Sequence, residues 1–176
     1  MKGVTSLTIM AVLTLSAGCS KPSPEEYAAR ATAAINERTF NVAIEEYEKL
    51  VADHPHTPQA EEALYAIAKI YSDELKKFPQ AIATYNRYLD LYPQGKYAPI
   101  AIFLSAYLYH NELNDLTNAK IMYERFLASY PQHEMAPSAE FELKNLGRKP
   151  EELLPVHPAE PTVTAQASSP KSSKKK

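Results

Sequence analysis

Residues 40–55 read FNVAIEEYEKLVADHP, residues 78–93 read FPQAIATYNRYLDLYP and residues 116–131 read LTNAKIMYERFLASYP. The three stretches lie 38 residues apart and agree column by column. Phe40, Phe78 and Leu116 open them, and Ala43, Ala81 and Ala119 follow. Next come Tyr47, Tyr85 and Tyr123, then Leu50, Tyr88 and Phe126, then Val51, Leu89 and Leu127. Pro55, Pro93 and Pro131 close them. Within the second stretch Ala81, Tyr85, Tyr88 and Leu89 fall at i, i+4, i+7 and i+8, one face of a helical period. The small Ala admits a neighbouring helix, and the aromatic four residues on fills the space beside it. Proline ends each helix, because it lacks an amide proton and pushes the preceding residue out of helical geometry.

The segments ahead of these helices obey the same shift: Ala63, Ala101 and Ala139; Tyr65, Phe103 and Phe141; Ile70, Leu108 and Leu146; Ala68 and Ala106; Tyr71 and Tyr109. Each unit is therefore a pair of helices. The spacing predicts helices over 24–36, 40–53, 58–76, 79–91, 97–112, 115–129 and 135–147. Ser23-Pro24-Glu25-Glu26 supplies a cap, a proline at the first helical position and Glu three residues after the cap. A lone hairpin cannot bury both faces, so stacking supplies the core and a last helix caps it. Pro99 to Tyr109 is apolar nearly all round, as a central helix of such a stack would be.

The Ala-aromatic-Pro columns, carried by Ala43-Tyr47-Pro55, Ala81-Tyr85-Pro93 and Ala119-Tyr123-Pro131, resemble the tetratricopeptide repeat over roughly residues 24 to 147. The 38-residue period exceeds the family's usual length, and no Trp occupies the early aromatic site. The resemblance implies an all-α fold, a right-handed α-solenoid of about three helical hairpins plus a capping helix. Longer repeats ending in Tyr-Pro-Gln (Tyr92 to Gln94, Tyr130 to Gln132) look like the BamD (YfiO) class of outer-membrane lipoproteins and the YbgF repeat class. In tetratricopeptide repeats the first helix of each pair lines a concave groove. Carried over by column, this implies a partner-binding row of Tyr65, Lys69 and Ser72, then Phe103, Tyr107 and His110, then Phe141 and Asn145. Apolar anchors with a few hydrogen-bonding groups suit an extended peptide. The competing reading packs Phe103 and Tyr107 between helices.

At the N-terminus Lys2 precedes an uncharged run from Gly3 to Ser20. Its apolar core, Val4 to Leu15, is short for a membrane span and has signal-peptide dimensions. Ser16, Ala17 and Gly18 then lead into Cys19, the one cysteine of the chain. This resembles a bacterial lipobox, with Leu15 one position ahead of the usual aliphatic site. The resemblance implies removal of residues 1–18, lipid on Cys19 and an anchor in place of a span. Ser20, rather than Asp, after the Cys implies the outer membrane, facing the periplasm. Residues 19–23 form a short linker and 24–147 the repeat domain.

From Arg148 the composition changes. Pro150, Pro155, Pro158, Pro161 and Pro170 interrupt any helix, and the chain ends in Lys174, Lys175 and Lys176. Residues 148–176 therefore read as a disordered tail. Residues 20–147 hold twelve Lys and Arg against eighteen Asp and Glu, while the tail holds six against three. Such a basic tip suits peptidoglycan or another anionic surface, or is a solubilising spacer.

One Cys excludes a disulfide framework, and four Gly in 176 residues include no phosphate-binding loop. The net charge of −2 argues against nucleic acid. His54 and His56 are too few for a metal centre, and no nucleophilic arrangement is spaced for catalysis. The sequence thus reads as a non-enzymatic scaffold without cofactor beyond the lipid. Its partners are another envelope protein or extended peptide and, through the anchor, the membrane. Outer-membrane assembly is the leading role. A Tol–Pal or division adaptor, and an envelope tether using the Lys-rich tail, are the alternatives.

Overall fold

The computed structural model describes residues 21–148 and Glu152. Cys19, the signal-like segment and the rest of the tail lie outside the described residues. The described residues form seven α-helices: α1 (Pro24–Asn36), α2 (Phe40–Asp53), α3 (Pro58–Lys69), α4 (Phe78–Leu91), α5 (Ala98–Tyr107), α6 (Leu116–Ser129) and α7 (Ala136–Lys144). No strand occurs among the described residues. Each helix packs on the next, α1 also touches α3, and α7 closes the series against α6. The product is an α-solenoid of three hairpins with a terminal helix.

The alanine columns and the large apolar column seven residues on are the buried ones. Ala43, Ala81 and Ala119 are fully enclosed, as are Leu50, Tyr88 and Phe126. Ala60, Ala98 and Ala136 and then Ala63, Ala101 and Ala139 line the facing helices in the same way. From Ala98 to Ala106 no residue of α5 is exposed. Its one hydroxyl there, Ser105 Oγ, donates to Ala101 O at 2.8 Å, so burial leaves it satisfied.

The ends follow the local chemistry. Ser23 Oγ accepts from Glu26 N at 3.2 Å, and the Ser23 amide donates back to Glu26 at 2.8 Å, a complete capping box. Thr57 and Asp115 cap α3 and α6 through side-chain oxygens. His54, Tyr92 and Tyr130, each just before a proline, share a non-helical backbone near φ −135°, −130° and −134°.

Two helices differ from the continuous form that the sequence predicts. The segment 58–76 is α-helical only to Lys69 and then widens into a π-helical turn, Ile70–Glu74. The segment 97–112 does the same at Leu108–Glu112. The turns close through Leu75 N to Ile70 O at 3.0 Å and Leu113 N to Leu108 O at 3.1 Å. Just after them Lys76 (φ 52°) and Asn114 (φ 50°) are left-handed, and Arg38 (φ 58°) occupies the same column after α1. The terminal helix is shorter than 135–147: Asn145 takes a non-helical backbone and Gly147 turns the chain at φ 79°.

Candidate groove between the first two repeats

A groove of about 500 Å³ opens between α1 and α3, with Phe40 and Tyr47 contributed by α2. Ala28, Thr32 and Ile35 form the α1 wall. The α3 wall carries Glu62, Tyr65, Ala66 and Lys69, and its π-helical turn adds Ile70, Asp73 and Glu74. Tyr97 reaches in from the loop between α4 and α5.

Tyr65 and Tyr97 stack face to face, with centroids 4.2 Å apart and planes 3° apart. Burial pushes the Tyr65 phenol above its ordinary range. Beside the stack Lys69 Nζ meets Asp73 Oδ2 at 2.6 Å, and Ser72 Oγ donates to Asp73 Oδ1 at 2.6 Å. The Asp73 bond holds the Lys69 ammonium above its usual range. Desolvation opposes charge on Asp73, but the Lys69 and Ser72 bonds outweigh it and lower the carboxyl. Arg38 and Lys96 stand 3.8 Å from Glu74 and Glu62, so the groove's carboxylates are partly balanced at its rim.

Tyr97 is placed by a network that begins on α3. Tyr88 Oη donates to Glu61 Oε1 at 2.5 Å, the Lys96 amide donates to the same oxygen at 2.6 Å, and the Tyr97 amide donates to Tyr88 Oη at 2.9 Å. Gly95 is required by this close approach. A Cβ there would stand 2.7 Å from Glu61 Oε1 and 3.0 Å from Tyr92 Cβ. One carboxylate thus fixes the loop, and the loop fixes an aromatic face.

The geometry narrows the row expected from the repeat columns. Tyr65 and Lys69 line the groove, and Ser72 touches it through Asp73. Phe103 instead meets Tyr123 at 5.7 Å and Phe126 at 5.8 Å edge-on, so it is packing between α5 and α6. Tyr107 is 40% exposed and does not line the groove. His110 Nδ1 stands 3.4 Å from Glu142 Oε2 of α7. Asn145 is buried and donates to Phe141 O at 2.8 Å, which makes it an end cap. Phe141 is exposed at the far end of the stack. Sequence reasoning missed Phe40; Tyr47, whose column mates Tyr85 and Tyr123 are core; and Tyr97, which the spacing places at the start of a helix and the structure places at its N-cap.

The arrangement offers aromatic faces, an apolar wall and paired charges. His54 Nε2 lies 2.8 Å from Pro22 O, a tie for the N-terminal segment. Among the described residues no group of three His, Cys, Asp or Glu is placed to hold a metal ion, and no helix is long and apolar enough to cross a membrane.

A family profile described as YfiO, outer membrane lipoprotein, matches residues 20–113, more than half of the chain. A tetratricopeptide-repeat profile matches residues 101–133. No curated protein matches the sequence.

Proposed function

Since the chain belongs to the YfiO family of outer membrane lipoproteins, we propose that it is a periplasm-facing scaffold serving outer-membrane assembly. It binds an extended segment of another envelope protein in the groove between α1 and α3. The tetratricopeptide architecture is a protein-interaction scaffold, and the finer assignment rests on the Tyr65–Tyr97 stack beside the Lys69–Asp73 pair. A cleft of about 500 Å³ falls in the range of ligand sites, about 300–1,000 Å³. Aromatic faces that are already stacked lose little freedom on binding, which favours an apolar or aromatic anchor from the partner. Glu62, Asp73 and Glu74 are met by Lys96, Lys69 and Arg38, so the wall beside that anchor offers paired charges and hydrogen-bonding groups to the partner's backbone.

Lipid on Cys19 would also orient the molecule. Lys21 Nζ meets Asp53 Oδ1 at 2.7 Å, and the two residues from Cys19 to Lys21 reach at most about 7 Å. The end of α2 would therefore lie near the headgroups.

The test is photo-crosslinking in cells from position 69, with mass spectrometry of the captured species. Barrel-assembly components or their substrates are expected. Tol–Pal components would transfer the reading to an adaptor, and muropeptides to a wall tether. Tyr97→Ala should reduce capture by about thirtyfold, as loss of a central aromatic anchor does. Undiminished capture would remove the groove from the function.

A further inference from the structure

We propose that the segment held in the groove between α1 and α3 is proline-rich and lies there as a polyproline II helix. This rests on the groove being a site for an extended segment and names the class of segment that it takes.

Hydrogen-bonding capacity decides the class. The groove's walls are α-helices, whose interior backbone groups bond within the helix, and no strand occurs among the described residues. An occupant therefore meets side chains rather than a backbone ladder. The acceptors among them are already engaged. Both oxygens of Asp73 are taken, one by Lys69 and one by Ser72. Glu62 accepts from Tyr97 Oη at 3.5 Å and faces Lys96 at 3.8 Å, and Glu74 faces Arg38 at 3.8 Å. Donors remain. Tyr47 and Tyr65 line the groove, and their hydroxyls bond to no other described residue. Lys69 gives one proton to Asp73, and an ammonium carries three.

A surface with donors to spare and acceptors engaged fits a chain that has carbonyls and lacks N–H groups. Proline is the residue without an amide proton. A strand-like occupant would instead bury N–H groups with no partner. Polyproline II makes no internal hydrogen bond, so its carbonyls stay open to the tyrosine hydroxyls and the ammonium.

The lining agrees with this. Phe40, Tyr47, Tyr65 and Tyr97 bring four rings to the groove, the kind of aromatic wall on which proline-rich segments dock. Its three carboxylates each face a cation, which suits an uncharged segment. The site is confined to the first groove, because Tyr85 and Tyr123, one and two periods after Tyr47, are 1% and 0% exposed.

The experiment is fluorescence anisotropy of fluorescein-labelled decaproline titrated with the full chain, beside a decapeptide of alternating Val and Thr carrying the same label. Decaproline should bind about tenfold more tightly, since the other peptide buries unpaired N–H groups. Tyr65→Phe keeps the ring and removes a donor, so it should weaken decaproline about fivefold. Equal affinity for the two peptides, or for Tyr65→Phe and wild type, would overturn the proposal. Crosslinking from position 69 that captures an envelope protein through a segment without proline would also overturn it, while leaving the scaffold reading in place. Decaproline binding as expected, with no envelope protein captured, would uphold this proposal and remove the envelope partner instead.

Discussion

Tyr88→Phe and Tyr123→Phe remove the same atom from two buried tyrosines, and the structure assigns them opposite outcomes. Tyr88 Oη donates to the Glu61 carboxylate at 2.5 Å and accepts from the Tyr97 amide at 2.9 Å. Removing it deletes a charge-assisted bond, worth about 1.5–3 kcal/mol, and orphans a backbone amide at about 1–3 kcal/mol. The two losses overlap, because the loop relaxes once it is released, so about 2–4 kcal/mol is expected in total. Tyr123 Oη is buried and finds no partner among the described residues. Its loss relieves a desolvated hydroxyl and should be neutral or stabilising by up to about 1 kcal/mol. Urea denaturation followed by circular dichroism reads both, and the Tyr88 variant should also melt roughly 10 °C lower. Equal destabilisation by the two substitutions would refute the claim that the Glu61 network, rather than aromatic packing, holds the loop.

Alkali should weaken the fold: burial foremost raises the phenol pKa values of Tyr85, Tyr88 and Tyr123. Their contribution is complete below the unfolded value of about 10 and is lost as pH rises toward the folded ones; a urea midpoint at pH 11 equal to that at pH 8 would contradict this. Lys76→Gly should stabilise by about 0.5–1 kcal/mol, because it removes the cost of a left-handed side-chain-bearing residue at φ 52° and pays back part in unfolded-chain entropy. A lower melting temperature for that variant would show that the Lys76 backbone is not strained. Cys19→Ala should abolish lipid labelling and release the protein from membranes; retention after high-salt washing would remove the lipoprotein assignment.

Burial was legible in the sequence because it is periodic. The Ala columns, the terminal prolines and the Ser23 cap each carry their own physical signal, and each stands where that signal places it. The π-helical turns were not legible, since Ile70–Glu74 holds no proline or glycine to mark a departure from the α-helix. Nor were the left-handed residues, because Arg38 and Lys76 are not residue types that mark such a turn, and only Asn114 is. The groove was half legible. Columns located Tyr65 and Lys69 on one helix face, but whether an aromatic faces solvent or packing depends on what the next element brings against it. Tyr65 receives Tyr97 from a loop, whereas Phe103 receives two rings from a helix.

That difference separates repeats that share a fold. One period beyond Glu61, Tyr88, Gly95 and Tyr97 stand Pro99, Phe126, His133 and Met135. The carboxylate and hydroxyl are gone, and the glycine that let the loop approach is replaced by an imidazole. His133 packs edge-on to Phe126 at 5.7 Å, and its Nδ1 accepts from the Met135 amide at 3.2 Å. The later loop is thus held by packing and a local hydrogen bond, and it presents Met135 where the earlier one presents Tyr97. The period constrains the helices, which must stack, but leaves the connection between hairpins free to vary. The groove is built on that free connection, entirely within residues 28–97 and so within the 20–113 family match. The third repeat keeps only the columns needed to continue the stack.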